Sequence, residues 1–122
     1  MAMEIANFIA LKNDAPFMFK SAGITPVGGG SDENVELVLS EIGIKSIQHT
    51  PVPVSRLDVG EFDAIHVMNS RQKVTLCSYF NNIELANQIM VLNIEDHFSK
   101  GLNAYRECRN QLMNFYERFA IR

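Results

Sequence analysis

Hydrophobic residues along this chain follow two alternating spacings. Consecutive apolar residues predict short buried strands, whereas apolar residues three and four positions apart predict helices with one buried face. Predicted strands cover residues 17–20, 64–68 and 89–92, and predicted helices cover residues 1–11, 31–42, 69–79 and 99–118. Because strands alternate with helices, the pattern favours an α/β fold with a short parallel sheet covered on both faces.

The last predicted helix has a continuous apolar stripe. Its buried face is expected to consist of Leu102, Tyr105, Cys108, Leu112, Phe115, Tyr116 and Phe119. In the third helix, we expect Val74 and Cys77 to point inward. Pro51 and Pro53 predict an irregular, extended stretch at 44–54, because proline cannot donate a backbone hydrogen bond.

A candidate catalytic residue, Asp96, follows the apolar run at 89–92 and precedes the last helix. Ligands of open parallel α/β sheets bind at the carboxyl ends of the strands, where this loop is predicted to lie. The alternative is that Asp96 caps the following helix or faces water. Position alone favours that alternative.

Length and charge limit the class of protein. At 122 residues, the chain is expected to form one domain over 1–122. A net charge of −3 and a pI near 5.5 argue against nucleic acid or an anionic membrane as the main partner, because the summed field repels both. No apolar stretch is long enough to span a bilayer, and the N-terminus does not have the pattern of a signal peptide. A cytoplasmic location is therefore expected.

Other reactive residues give weaker signals. No cofactor and no metal site is predicted, because His49, His66 and His97 are scattered and the sequence has no Cys-x-x-Cys pair. His66 lies within a predicted strand and is expected to be a hydrogen-bonded structural residue. Cys77 and Cys108 lie on apolar helical faces, which favours reduced core thiols over activated nucleophiles.

Two further features are interpreted as structural. The glycine run at 28–30 precedes a capped helix and would in principle suit an anion. However, the start of that helix is acidic and the lysine of a phosphate-binding loop is missing, so a turn is the better interpretation. Arg106 and Arg109 flank Cys108 and are expected to be surface residues of the last helix.

Several short motifs, taken in order, resemble those of the low-molecular-weight protein tyrosine phosphatases and their arsenate-reductase relatives. The matching segments are 1–6, 21–23, 34–44, 61–68, 94–98 and 101–109. Residues 21–23 match the Ser-Ala-Gly that follows the family's second strand, and residues 61–68 are similar to its Phe-Asp-Leu-Ile-x-x-Met strand. Residues 94–98 are similar to its Asp-Pro-Tyr/Phe loop.

The resemblance implies a three-layer α/β/α fold of the phosphotyrosine phosphatase I type. It also implies hydrolysis of phosphate monoesters through a cysteinyl-phosphate intermediate, with Asp96 as the general acid and His97 and Phe98 as its loop neighbours. The substrate would be a phosphorylated protein or a small phosphate ester. The motifs do not distinguish phosphotyrosine, phosphoarginine and arsenate chemistry.

Two departures from the family pattern affect the expected activity. The family's nucleophile lies in a Cys-x5-Arg loop between its first strand and first helix. This chain starts where that loop has just ended, so the first, central strand is expected to be missing. Six residues after Cys77 is Ile83, and six after Cys108 is Asn114, so neither cysteine begins such a loop. The proline that follows the general acid in the family is replaced by His97.

We therefore expect an N-terminally truncated domain that is inactive as it stands. The alternatives are a natural pseudophosphatase or protein-interaction module, and a small-molecule or sugar-phosphate enzyme on a similar fold. The missing strand would lie between the predicted strands 17–20 and 64–68, and unpaired strand edges recruit other chains. A homo-oligomer with an apolar interface near the first helix and these strands is therefore expected.

Overall fold

A computed structural model of the chain describes residues 1–23, 33–45, 52–95 and 101–121. In chain order, its regular elements are α1 (Ala2–Lys12), α2 (Glu33–Ser40), β1 (Ile65–Val67), α3 (Ser70–Tyr79), β2 (Ile89–Val91) and α4 (Leu102–Ile121). Short 3₁₀ turns lie at Val54–Arg56, Val59–Glu61 and Ile83–Gln88. The predicted α/β fold is confirmed. None of the helices within these ranges is long and apolar enough to cross a membrane.

β1 and β2 form a two-stranded parallel sheet, with Ile65 opposite Ile89 and Val67 opposite Val91. The chain passes through α3 between them, because parallel neighbours need a crossover connection. Backbone pairing continues past β2, where the Leu92 N–H donates to the Val67 carbonyl at 2.8 Å. Both strands lie within the apolar runs that predicted them.

The two faces of the sheet pack against different helices. One face packs with Leu76 of α3 and with Leu85 of the following turn. The strand residues in this core are Ile65, Val67, Ile89 and Val91. Met68 and Leu92 belong instead to the core formed by α1, α2 and α4. Because neighbouring residues of a strand point to opposite faces, this separation gives the predicted three layers.

The apolar stripe predicted for α4 is confirmed. Its most deeply buried residues are Tyr105, Cys108, Leu112 and Tyr116, each no more than 4% exposed. Cys108, Leu112 and Tyr116 pack with Ile5 and Ile9 of α1 and with Leu39 of α2. The same core contains Ile94, which lies two residues before Asp96 in the chain.

The predicted strand at 17–20 is wrong, because among the described residues this segment pairs with no strand. The side chain of Asn7 instead binds both backbone polar groups of one of its residues, Phe19. The Phe19 N–H donates to Asn7 Oδ1 at 2.9 Å, and Asn7 Nδ2 donates to the Phe19 carbonyl at 3.1 Å. Phe17 and Phe19 both contact the ring of Phe119 in α4. The apolar run therefore reflects aromatic packing on α4 rather than sheet formation.

The stretch predicted to be irregular, 44–54, has described residues at its two ends. At the second end, an isolated parallel bridge joins Gly23 to Pro53. The Gly23 N–H donates to the Val52 carbonyl at 2.8 Å, and the Val54 N–H donates to the Gly23 carbonyl at 3.0 Å. The bridge uses no N–H of Pro53, which is compatible with proline at that position.

The inward face predicted for α3 is partly wrong, since Val74 is 69% exposed whereas Leu76 is buried. Hydrogen bonds at the start of the helix explain this orientation. Asn69 Oδ1 accepts the Gln72 N–H at 2.9 Å, and Gln72 Oε1 accepts the Met68 N–H at 2.7 Å. Gln72 is thereby held at the end of β1, and Leu76, four residues later on the same side of the helix, reaches the core.

Candidate functional site

The predicted catalytic loop lies in sequence between β2 and α4. Three predicted site residues fall outside the part of the chain that the structure describes: Asp96, His97 and Phe98. Before the loop, the Ile94 N–H donates to the Met68 carbonyl at 3.1 Å, so the chain leaves the sheet at the carboxyl ends of both strands. After the loop, α4 begins at Leu102. The assignment of Asp96 as a general acid stays a prediction.

Gly101 makes the turn into α4. Its φ angle of +90° lies in a region that residues with a side chain rarely adopt. Its carbonyl accepts the Tyr105 N–H at 3.3 Å, and Tyr105 is 2% exposed. The start of α4 is therefore set by a glycine turn and a buried tyrosine.

Glu41 joins the end of α2 to the first turns of α4 by binding two arginines. Arg106 donates to Glu41 Oε2 from Nε at 3.1 Å and from Nη2 at 2.8 Å. Arg109 Nη1 donates to Glu41 Oε1 at 2.6 Å and to the Val38 carbonyl at 2.9 Å. Hydrogen bonds from Arg106, and then from Arg109, hold the pKa of Glu41 below its ordinary value. The hydrogen bond between Arg106 and Glu41 also raises the pKa of Arg106.

The prediction that both arginines are surface residues is wrong for Arg109, whose side chain is 11% exposed, compared with 39% for Arg106. Sequence reasoning missed this cluster because Glu41 lies 65 and 68 residues before its two partners. Both guanidinium groups are paired with a carboxylate, which leaves them less available to bind a phosphate group.

Neither cysteine has the surroundings of a phosphatase nucleophile. Cys108 is 3% exposed and lies in the core formed by α1, α2 and α4, as predicted, while Cys77 is half-buried on α3. The positions six residues after the two cysteines, where the family motif has arginine, are Ile83 in a 3₁₀ turn and Asn114, which is exposed on α4. A phosphate-binding thiolate needs backbone N–H donors and a cation around it. Both cysteines lie within helices, where the backbone N–H groups are used by the helix itself.

His66 is confirmed as a hydrogen-bonded residue, because its Nδ1 lies 2.9 Å from the Tyr116 hydroxyl oxygen. Burial lowers the pKa of His66 and raises that of Tyr116 to about 12. His49, His97 and the glycine run at 28–30 lie outside the described residues. Over the ranges that are described, no three His, Cys, Asp or Glu side chains are grouped to hold a metal ion.

These elements define a small α/β domain with a parallel sheet between two helical layers. The sequence model of the low molecular weight phosphotyrosine protein phosphatases matches residues 1–120, and the chain belongs to this family. The family predicted from the motifs is therefore confirmed.

Solved structures share the fold. A mutant of YwlE from Bacillus subtilis superposes with a TM-score of 0.86 at 19% identity, over 98% of this chain and 86% of the relative. The low molecular weight protein tyrosine phosphatase from T. tengcongensis has a TM-score of 0.86 at 23% identity, over 97% and 86% of the two chains. Wzb from Vibrio vulnificus, in complex with benzylphosphonate, has a TM-score of 0.81 at 16% identity, over 98% and 86%. A search of curated proteins finds no significant match.

Proposed function

We propose that these 122 residues form a phosphatase scaffold that carries the general acid, Asp96, but not the loop that performs nucleophilic attack. The observation that carries the proposal is that no Cys-x5-Arg sequence occurs among them. By resemblance to the family, that loop supplies the thiolate, an arginine and the N–H groups that bind phosphate. The chain by itself therefore does not hydrolyse phosphate monoesters, whereas a polypeptide that also contains the loop does.

The surroundings of the reactive side chains support this proposal. Cys108 is buried in the core, and Arg106 and Arg109 both bind Glu41. No described cysteine–arginine pair offers a substitute for the missing loop. For a polypeptide that contains the loop, the substrate is a phosphorylated protein or a small phosphate ester. Benzylphosphonate, the ligand in the Vibrio vulnificus Wzb structure, carries its phosphonate on a methylene group attached to a phenyl ring, so a phosphate ester with an aromatic group is a suitable probe.

The chain is expected to show no turnover of p-nitrophenyl phosphate above the buffer background. The physical reason is that the nucleophile and the oxyanion donors together usually supply most of the rate enhancement. Release of p-nitrophenolate measures the rate, and Cys77→Ser and Cys108→Ser serve as matched variants. Turnover that either variant abolishes would place the active site at that cysteine. Turnover that survives both variants would contradict the cysteinyl-phosphate assignment.

Exposed apolar residues near α1 favour a second property, self-association. Leu11 and Met18 are each 83% exposed. The Ala15 N–H donates to the Ala10 carbonyl at 2.8 Å, so the chain turns directly after α1 and runs back along it. Large apolar side chains that are exposed on two neighbouring segments are candidates for an interaction surface. We infer a homo-oligomer that buries Leu11 and Met18, which is compatible with the proposed scaffold role.

The chain is expected to sediment as a dimer or larger assembly at micromolar concentration, and the double variant Leu11→Glu, Met18→Glu is expected to sediment as a monomer. Burying a carboxylate without a partner opposes association. Ile83→Glu is the matched control, because Ile83 is an 89% exposed apolar residue in a different part of the fold. It should leave the assembly unchanged. A monomeric parent chain, or an equal effect of Ile83→Glu, would contradict the inferred interface.

A further inference from the structure

His66 lies in an aromatic cluster that joins three parts of the fold. The cluster consists of Phe19, His66, Phe115, Tyr116 and Phe119. The imidazole centroid lies 6.3 Å from the Phe19 ring, 5.6 Å from the Phe115 ring and 5.3 Å from the Phe119 ring. Since His66 belongs to β1 and three of its neighbours belong to α4, the cluster connects the C-terminal part of α4 to the sheet. Phe19 connects both to the segment that follows α1.

The two nitrogens of the imidazole have different surroundings. Nδ1 lies 2.9 Å from the Tyr116 hydroxyl oxygen, whereas Nε2 is buried and has no hydrogen-bond partner in the described structure. A neutral imidazole can carry its proton on Nδ1 and leave only a lone pair on Nε2. The imidazolium has an N–H on both nitrogens, so protonation would create a buried donor without an acceptor.

The groups around the ring do not supply a negative charge. On α4, the titratable group in contact with the ring is the Tyr116 hydroxyl. Glu117 and Arg118, which follow it in the helix, are both exposed. Met90 of β2, which lies opposite His66 in the sheet, is uncharged. The segment after α1 presents the Phe19 ring, and its Lys20 is exposed. The described contacts of the ring are a phenol and uncharged aromatic rings, so they do not compensate a positive charge on His66.

We propose that His66 is an acid-sensitive switch: its neutral form holds the C-terminal part of α4 on the sheet, and its protonation releases the aromatic cluster. The proposal concerns the conformation of the scaffold and does not depend on phosphate hydrolysis.

The direction of the pH dependence follows from the burial of the ring. Burial lowers the pKa of His66 from its ordinary value of 6.5. Between the folded-state pKa and 6.5, the unfolded chain binds more protons at this residue than the folded chain does. The contribution of neutral His66 to the free energy of unfolding is therefore fully present above pH 6.5, and it is lost as the pH falls toward the folded-state pKa.

The pKa of His66 in the full chain can be measured by NMR titration of its Cε1–H, assigned by the loss of that signal in His66→Gln. The expected result is a pKa below 6.5. A value of 6.5 or higher, as attraction between an imidazolium and the aromatic faces would produce, overturns the proposal. This measurement uses the parent protein, so it stays decisive even if a variant folds poorly.

Urea denaturation tests the link to stability. The midpoint for the parent chain should fall between about pH 7.5 and about pH 5.5, the range in which histidine titrates, and His66→Gln should lose most of that fall. An equal pH dependence of the parent and His66→Gln overturns the proposal.

Amide hydrogen exchange distinguishes local release from general destabilisation. After correction for intrinsic rates, acidification should reduce the protection of residues 115–119 more than that of residues 105–112 in the same helix. Uniform loss of protection along α4 would overturn the proposed release of its C-terminal part.

Discussion

Asp96→Asn is expected to slow aryl-phosphate hydrolysis by about 10²–10⁴-fold, the usual scale for a positioned proton donor. The experiment uses a protein that joins a family-type strand and Cys-x5-Arg loop to the amino end of this chain. In such a protein, the carboxyl group of Asp96 would protonate the oxygen of the leaving group as the bond to phosphorus breaks. An amide of the same shape cannot donate that proton.

The leaving group gives this experiment its sharpest readout. A general acid contributes most when the departing oxygen is strongly basic, so the loss should be larger for phenyl phosphate than for p-nitrophenyl phosphate. Asp63→Asn is the control, because Asp63 is an exposed carboxylate close to the start of β1. An equal rate for Asp96→Asn and the restored parent would end the assignment. A loss that is the same for both substrates would assign Asp96 a role other than proton donation.

Leu112→Ala is expected to lower the free energy of unfolding by about 2–5 kcal/mol, the range measured for buried leucines replaced by alanine. Leu112 is 1% exposed and packs in the core shared by α1, α2 and α4. The change removes apolar contacts and leaves a cavity, since the surrounding helices relax only partly. Urea denaturation of the parent and the variant measures the difference.

Val74→Ala is the matched control for this prediction. Val74 is 69% exposed on α3, and surface substitutions of this kind usually change stability by no more than about 0.5 kcal/mol. If Leu112→Ala changes the free energy of unfolding only slightly, or Val74→Ala changes it strongly, the described packing of α4 or α3 is contradicted.

α4 and the two strands were predictable because each has a local pattern in the sequence. The stripe from Tyr105 to Tyr116 repeats at helical spacing, and it is buried where expected. The runs at 64–68 and 89–92 are short and apolar, and each contains one of the paired strands. In these elements, local preference and tertiary packing agree, so the sequence alone was sufficient.

The candidate site was only partly predictable for a different reason. Asp96 was identified from its position after a predicted strand and from resemblance to the family. The surrounding contacts depend on residues far apart in the chain, which no local pattern reveals. Glu41 meets Arg109 across 68 positions, and His66 meets Tyr116 across 50 positions.

By itself, the sequence determined the family, the order of the four helices and the two paired strands, and the buried face of α4, because motifs and hydrophobic spacing are local properties. The tertiary structure decided whether an apolar run forms a strand and which apolar residues of a helix are buried. The run at 17–20 forms no strand in the described structure, and the side chain of Asn7 binds the backbone of Phe19 there. α3 buries Leu76 instead of Val74 because Gln72 is held at the end of β1. In both cases a single polar side chain satisfies backbone hydrogen bonds and thereby sets which apolar residues reach the core.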